Sequence, residues 1–116
     1  MIEQKITALL RTICPRAYTD FAPVETQRPY VTYQQIGGET MDFIDNSLPN
    51  KENADIQINV WADTRIEAKS LIKRIEEAML ASTELQASAS AAAVSDYDAD
   101  IPVYGSRQDF SVWADR

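Results

Sequence analysis

Hydrophobic positions along the chain change period several times, and each change marks a new element. Ile2, Ile6, Leu9, Leu10 and Ile13 fall at offsets 0, 4, 7, 8 and 11, one face of a helix, with Glu3, Gln4, Thr7 and Arg11 elsewhere on it. This spacing predicts a first helix to about Ile13, stopped by Pro15, because the residue before a proline is pushed out of the helical region. The stretch from Arg16 to Gln27, with two aromatics and Pro23, suggests an irregular or briefly extended segment. Pro29 to Ile36 is rich in β-branched and aromatic residues and predicts a strand. Gly37-Gly38 offers the positive φ of a tight turn, and Thr40 to Asp45 would return with Met41 and Phe43 on one face. Polar Asn46 to Asn53 predicts a projecting loop. Ala54 to Ala62 then alternates Ile56, Ile58 and Val60 against Asp55, Gln57 and Asn59, and only Trp61 breaks the polar side.

A second helix follows at once. Asp63 or Thr64 can cap it, and Thr64-Arg65-Ile66-Glu67 fits the capping box, in which hydroxyl and carboxylate each satisfy a free backbone N–H. Ile66, Leu71, Ile72, Ile75, Met79 and Leu80 give it a wide apolar stripe to about Ala81. Gln86 to Ala93 is small and low in complexity, equally suited to helix, loop or small-residue strand. Val94 to Tyr104 predicts a strand broken near Pro102 and Gly105, and Arg107 to Trp113 a last strand with Phe110 and Val112 on one face. The order helix, strands, helix, strands predicts an α+β fold: a mostly antiparallel sheet with two helices packed on one face, residues 1–116 forming a single domain.

Composition narrows the function. The 116 residues are 45% hydrophobic, enough for one core, and a compact monomer of this mass would expose roughly 6,300 Å². No stretch approaches the ~20 apolar residues of a membrane span, and Met1-Ile2-Glu3-Gln4-Lys5 lacks the segments of a signal peptide, so a product made in a cytoplasm is expected. A formal charge of −7 with no basic stripe disfavours nucleic acid and anionic membranes. One cysteine and no histidine exclude an internal disulfide, a histidine-based triad and a histidine-containing zinc site. Cys14 is read as a small buried hydrophobe, since only Arg16 stands near enough in sequence to activate it.

Clustered carboxylates are the remaining chemistry. Asp96, Asp98 and Asp100 open like a calcium loop, but the sixth position is Ile101 instead of glycine and the twelfth is Arg107 instead of glutamate. Asp42 and Asp45 have no nucleophile or phosphate-binding glycine loop beside them. A small acidic cytosolic enzyme or metal-binding module using these groups is the alternative reading; no catalytic residue, metal ligand or cofactor is assigned. Trp61 has a different meaning. A tryptophan on a polar strand face is covered by its own chain or reserved for a partner, because interfaces are enriched in Trp and Tyr. Val-Trp-Ala-Asp occurs at residues 60–63 and again at 112–115, and both valines share a face with the core residue two before them, Ile58 and Phe110. Both tryptophans then point away from the helices. Tyr30 and Tyr33 lie on opposite faces of their strand, so one of them also leaves the helix-covered side.

The order of these features, with Arg28-Pro29-Tyr30-Val31-Thr32-Tyr33 as first strand, Ile56 to Asp63 running straight into a helix, and Asp96 to Asp100 leading to Arg107 to Trp113, is similar to a known group. It resembles the small tail-completion and tail-terminator proteins of long-tailed bacteriophages and prophages. The resemblance implies a non-enzymatic virion component made in a host bacterial cytoplasm, assembled as a ring, commonly a hexamer. Such a ring caps the tail tube and meets the head connector proteins, so the implied partners are further copies of the chain, the tail-tube protein and the connector. Two interfaces per subunit at about 800 Å² each need exposed anchors. The candidates are Trp61, Trp113, Tyr30 or Tyr33, and the loop positions Asn46, Leu48 and Lys51.

Overall fold

A computed structural model describes residues 1–40 and 50–115. Helix α1 spans Ile2–Arg11, strand β1 Ala17–Thr19, β2 Tyr30–Gly37, β3 Lys51–Ala62, helix α2 Arg65–Ala81, β4 Ser88–Ala89, β5 Val94–Asp98 and β6 Val103–Asp115. The strands form one sheet in the order β1, β2, β3, β6, with β4 and β5 both on the far side of β6. All pairings are antiparallel except β1 with β2. The α+β architecture and the mostly antiparallel sheet expected from the sequence are therefore present, with α1 and α2 on the same face.

Strand alternation builds the core. On β3 the side chains of Ala54, Ile56, Ile58, Val60 and Ala62 are buried; on β6 Val112 and Phe110 lie in register beside Ala54 and Ile56, and Ala114 continues the same buried face. Ile2, Ile6 and Leu10 of α1 and Leu71, Ile72, Ile75 and Met79 of α2 close over that face. Burial of such side chains contributes about 1.5–3 kcal/mol each. Two polar side chains enter the same layer. Tyr33 is buried, donates its hydroxyl proton to the Glu3 carbonyl at 2.8 Å and accepts from Thr19 Oγ1 at 2.9 Å, with Thr7 Oγ1 also in contact. One phenol thus joins α1, β1 and β2. Gln108 donates from Nε2 to the Glu76 carboxylate and to the Ala91 carbonyl, while its buried Oε1 has no protein partner.

Several local expectations shift. α1 ends at Arg11, earlier than Ile13, and Ile13 and Cys14 continue as a turn whose N–H groups donate to the Leu10 carbonyl. Cys14 is buried, as expected of a small hydrophobe. β2 lies between β1 and β3, with Tyr30 opposite Trp61 and Gly37 opposite Asp55, and the return strand expected over Thr40 to Asp45 is not described beyond Thr40. Residues 41 to 49, including Asp42 and Asp45, lie outside the described residues. Gly37 still belongs to β2, and Gly38 (φ 151°) passes close to β3, where a Cβ would come 2.7 Å from the Asn53 carbonyl oxygen. Close backbone approach accounts for the second glycine better than a tight turn. β3 begins at Lys51, so residues 51–53, expected in the loop, form strand opposite Asp115, Ala114 and Trp113.

The second helix has the expected cap: Thr64 is extended and its hydroxyl accepts from the Glu67 N–H at 3.1 Å. Its apolar stripe is narrower than the composition suggested. Ile66 is 81% exposed and Leu80 49%. At about 100° per residue Ile66 lies some 160° from Ala68, the middle of the buried stripe, and Leu80 about 120° away. The Ala/Ser stretch becomes an edge, with Ser88 opposite Ser111 and Ala89 opposite Phe110. Pro102 lies in the turn between β5 and β6, but Gly105 lies within β6 and does not interrupt it.

Candidate functional site

The helix-free face of the sheet is mostly polar, carrying Gln34, Gln57, Asn59, Arg107 and Asp109. At one end it becomes concave. Tyr30, Thr32 and Trp61 form a floor, residues 20–28 form one wall, and the turn from Asp98 to Val103 forms the other. The groove measures about 1010 Å³.

Each wall is held by identifiable contacts. The loop leaves β1 at Asp20, which adopts a left-handed φ of 68° while its N–H donates to the Tyr33 carbonyl at 2.7 Å. Arg16 Nε donates to the Gln27 and Pro29 carbonyls at 2.9 and 3.1 Å, pinning the loop's return. Arg28 reaches the Asp63 carboxylate at 2.7 Å and so ties the loop to the end of β3. The opposite wall is a hairpin turn stabilised locally, the Asp98 carboxylate accepting from the Asp100 N–H at 3.0 Å. Arg65, the first residue of α2, donates to the Gly105 and Asp96 carbonyls and lies 5.3 Å from the Tyr104 ring centre. Tyr104 in turn packs on Tyr97 at 4.8 Å between centroids.

Trp61 owes its place to a glycine. Its indole lies over Gly105, directly opposite on β6, where a Cβ would come 2.8 Å from Cζ3 and 3.0 Å from Cε3. The ring is therefore half-covered by its own chain and half-available in the groove floor. The lips are unusually apolar. Phe21 is 78% exposed, Val24 93% and Ile101 62%, and the acidic Asp20, Glu25, Asp63 and Asp98 stand among them with Arg28 as the one basic residue.

The positions anticipated from the sequence separate as follows. Trp61 and Tyr30 are adjacent across β2 and β3 and both belong to the groove. Trp113 shares their face but sits opposite Asn53, eight residues farther along β3 than Trp61, about 27 Å at strand rise. Tyr33 is on the helix side and buried, which leaves Tyr30 as the tyrosine of the pair on the open face. Lys51 is half-buried on β3 and reaches the Asp115 carboxylate at 3.3 Å. Asn46 and Leu48 lie outside the described residues. Phe21, Val24 and Ile101 were missed because isolated apolar residues in turn-rich segments carry no periodicity. Asp96 pairs with Arg107 at 3.7 Å, and among the described residues no three acidic side chains converge as a metal ion would require.

An open groove with aromatic floor and apolar lips is suited to binding a macromolecular surface. Comparison with known families agrees in kind. The model of the family described as Tail completion protein gp17 matches residues 3–115. The chain belongs to this family. It is thus a component of a phage tail, with a structural role among the other tail and head proteins of the virion. No curated protein is found to match it. Among the described residues no helix of this tail completion chain is long and apolar enough to cross a membrane.

Proposed function

We propose that this tail completion protein caps the head-proximal end of the tail tube as a homo-oligomeric, hexameric ring and supports joining of tail to head, without catalysis. The carrying observation is the family match over residues 3–115. The physical character of the chain supports the reading. It exposes 7113 Å², more than the roughly 6,300 Å² of a compact monomer of this mass, and Phe21, Val24 and Ile101 present exposed apolar side chains at the groove. The −7 charge would also keep a ring lumen from gripping passing DNA. Trp61, Trp113 and Tyr30 are the proposed anchors on the open face, with the tail-tube protein and head connector proteins as further partners.

The test is deletion of the gene followed by electron microscopy of the lysate. Tails that fail to join heads, or that lose their normal length, are the expected result. Normal tails and normal joining in its absence would overturn the proposal. Purified protein that is monomeric in solution would not, because assembly on the tube end is sufficient for the role.

A further inference from the structure

The groove has acidic and apolar lips, and elsewhere on the same chain stands a surface of complementary character. On the outward side of α2, Ile66, Lys69, Lys73 and Leu80 form one stripe, opposite the buried Ala68, Leu71, Ile72, Ile75 and Met79. Ile66 to Leu80 spans about 21 Å of helix. Among the described residues neither lysine forms an ion pair. An isoleucine this exposed, with lysines one and two turns beyond it, is what a docking helix needs: an apolar anchor and flanking charge.

We propose that the groove receives the outward face of α2 from a second copy of this chain. Ile66 of one copy seats between Val24 and Ile101 of the next, above Trp61, while Lys69 and Lys73 meet Glu25 on one wall and Asp98 on the other. Three observations point to this occupant. The charges are opposite, acidic in the groove and basic on the first two turns of the stripe, from Ile66 to Lys73, before Glu76 and Glu77. The volume of about 1010 Å³ accepts one to two turns of a helix, given a helix diameter of about 10–12 Å. The two surfaces also lie on opposite faces of the sheet yet at the same end of the molecule, since Asp63 lines the groove and α2 starts at Arg65. A contact between different patches on opposite faces is heterologous and propagates from copy to copy, closing into a ring when the rotation between successive copies closes. The inference rests on the ring reading above and specifies which surfaces make the ring.

Cross-linking tests it directly, because Cys14 is buried and introduced thiols would be the accessible ones. Tails assembled with the Val24→Cys, Ile66→Cys double variant are treated with a short bismaleimide and run on a denaturing gel. A ladder of multimers of this chain is expected, with monomer alone from either single variant. Charge reversal supplies an independent arm: Lys69→Glu with Lys73→Glu should lower joined particles by about tenfold or more, and adding Glu25→Lys with Asp98→Lys should restore them. Both sets of variants are first checked for unchanged thermal unfolding. Joined tails whose double-cysteine protein stays monomeric, cross-links from Val24→Cys to a different tail protein, or folded reversal variants with no loss and no rescue each overturn the α2 pairing while leaving the ring reading intact. Normal joining without the protein would instead remove the ring reading itself.

Discussion

The two Val-Trp-Ala-Asp segments carry identical side chains in the same sheet, yet the molecule treats them differently. Val60 and Val112 are both fully buried under the helices, and both tryptophans point to the open face. There the likeness stops. Trp61 lies on a central strand between Tyr30 of β2 and Gly105 of β6, and the bare glycine lets its indole rest on the sheet. Trp113 lies on β6 opposite Asn53, and on its other side its own N–H donates to the Leu85 carbonyl at 2.9 Å. Strand alternation decides which face a side chain occupies; the residues on neighbouring strands decide what that side chain can do there.

The shared half of the comparison should be the costliest to disturb. Phe110→Ala and Ile58→Ala remove fully buried side chains three residues before each tryptophan and should lose about 3–5 and 2–5 kcal/mol respectively. Denaturant unfolding of the two variants measures this. Losses below about 1 kcal/mol at either site would mean that the paired strands do not share one core.

The halves that differ come next. Gly105→Val places carbon atoms where the Trp61 ring now lies, and overpacking of this kind costs about 1–3 kcal/mol. The indole should be lifted from the sheet, seen as a red shift in Trp61 emission in a Trp113→Phe background. No comparable glycine lies opposite Trp113, so Asn53→Ala should not shift Trp113 emission in the same way. It should still cost about 0.5–1.5 kcal/mol, because Asn53 Nδ2 donates to Ser111 Oγ and the Val112 carbonyl, while its Oδ1 accepts from the Glu39 N–H.

How far the sequence disclosed all this depended on the kind of signal. Alternation located β3, the buried valines and the open-face tryptophans, and the capping box located the start of α2, because these are local patterns with one stable outcome. Gly105 looked like a strand break, since a glycine's effect on a strand depends on what lies opposite, and Trp61 is 44 residues away in sequence. Ile66 was counted with the core because its type outweighed its phase; its angle on the helix wheel already separated it from Ala68 and Ile72. The groove was the least legible feature. It joins a turn-rich loop to a hairpin turn across the end of the sheet, and neither segment has a period to read.

The smallest effects concern the ion pairs beside each tryptophan, and they sharpen the contrast most finely. Lys51 with Asp115 lies near Trp113, and Arg28 with Asp63 lies near Trp61. Their side chains are all substantially solvated except Arg28, so each pair should contribute about 0–1 kcal/mol in a double-mutant cycle, less in high salt. The consequences should nevertheless differ. Lys51→Ala removes a charge from a strand that twelve residue pairings with β6 already hold in place. Arg28→Ala removes the side chain that ties the groove's loop to β3, leaving the backbone contacts made by Arg16 to hold it. Acrylamide quenching of the single remaining tryptophan should therefore rise for Trp61 on Arg28→Ala and stay unchanged for Trp113 on Lys51→Ala. Equal quenching in both pairs would mean that the loop does not shelter Trp61, and that the two tetrapeptides differ only in position.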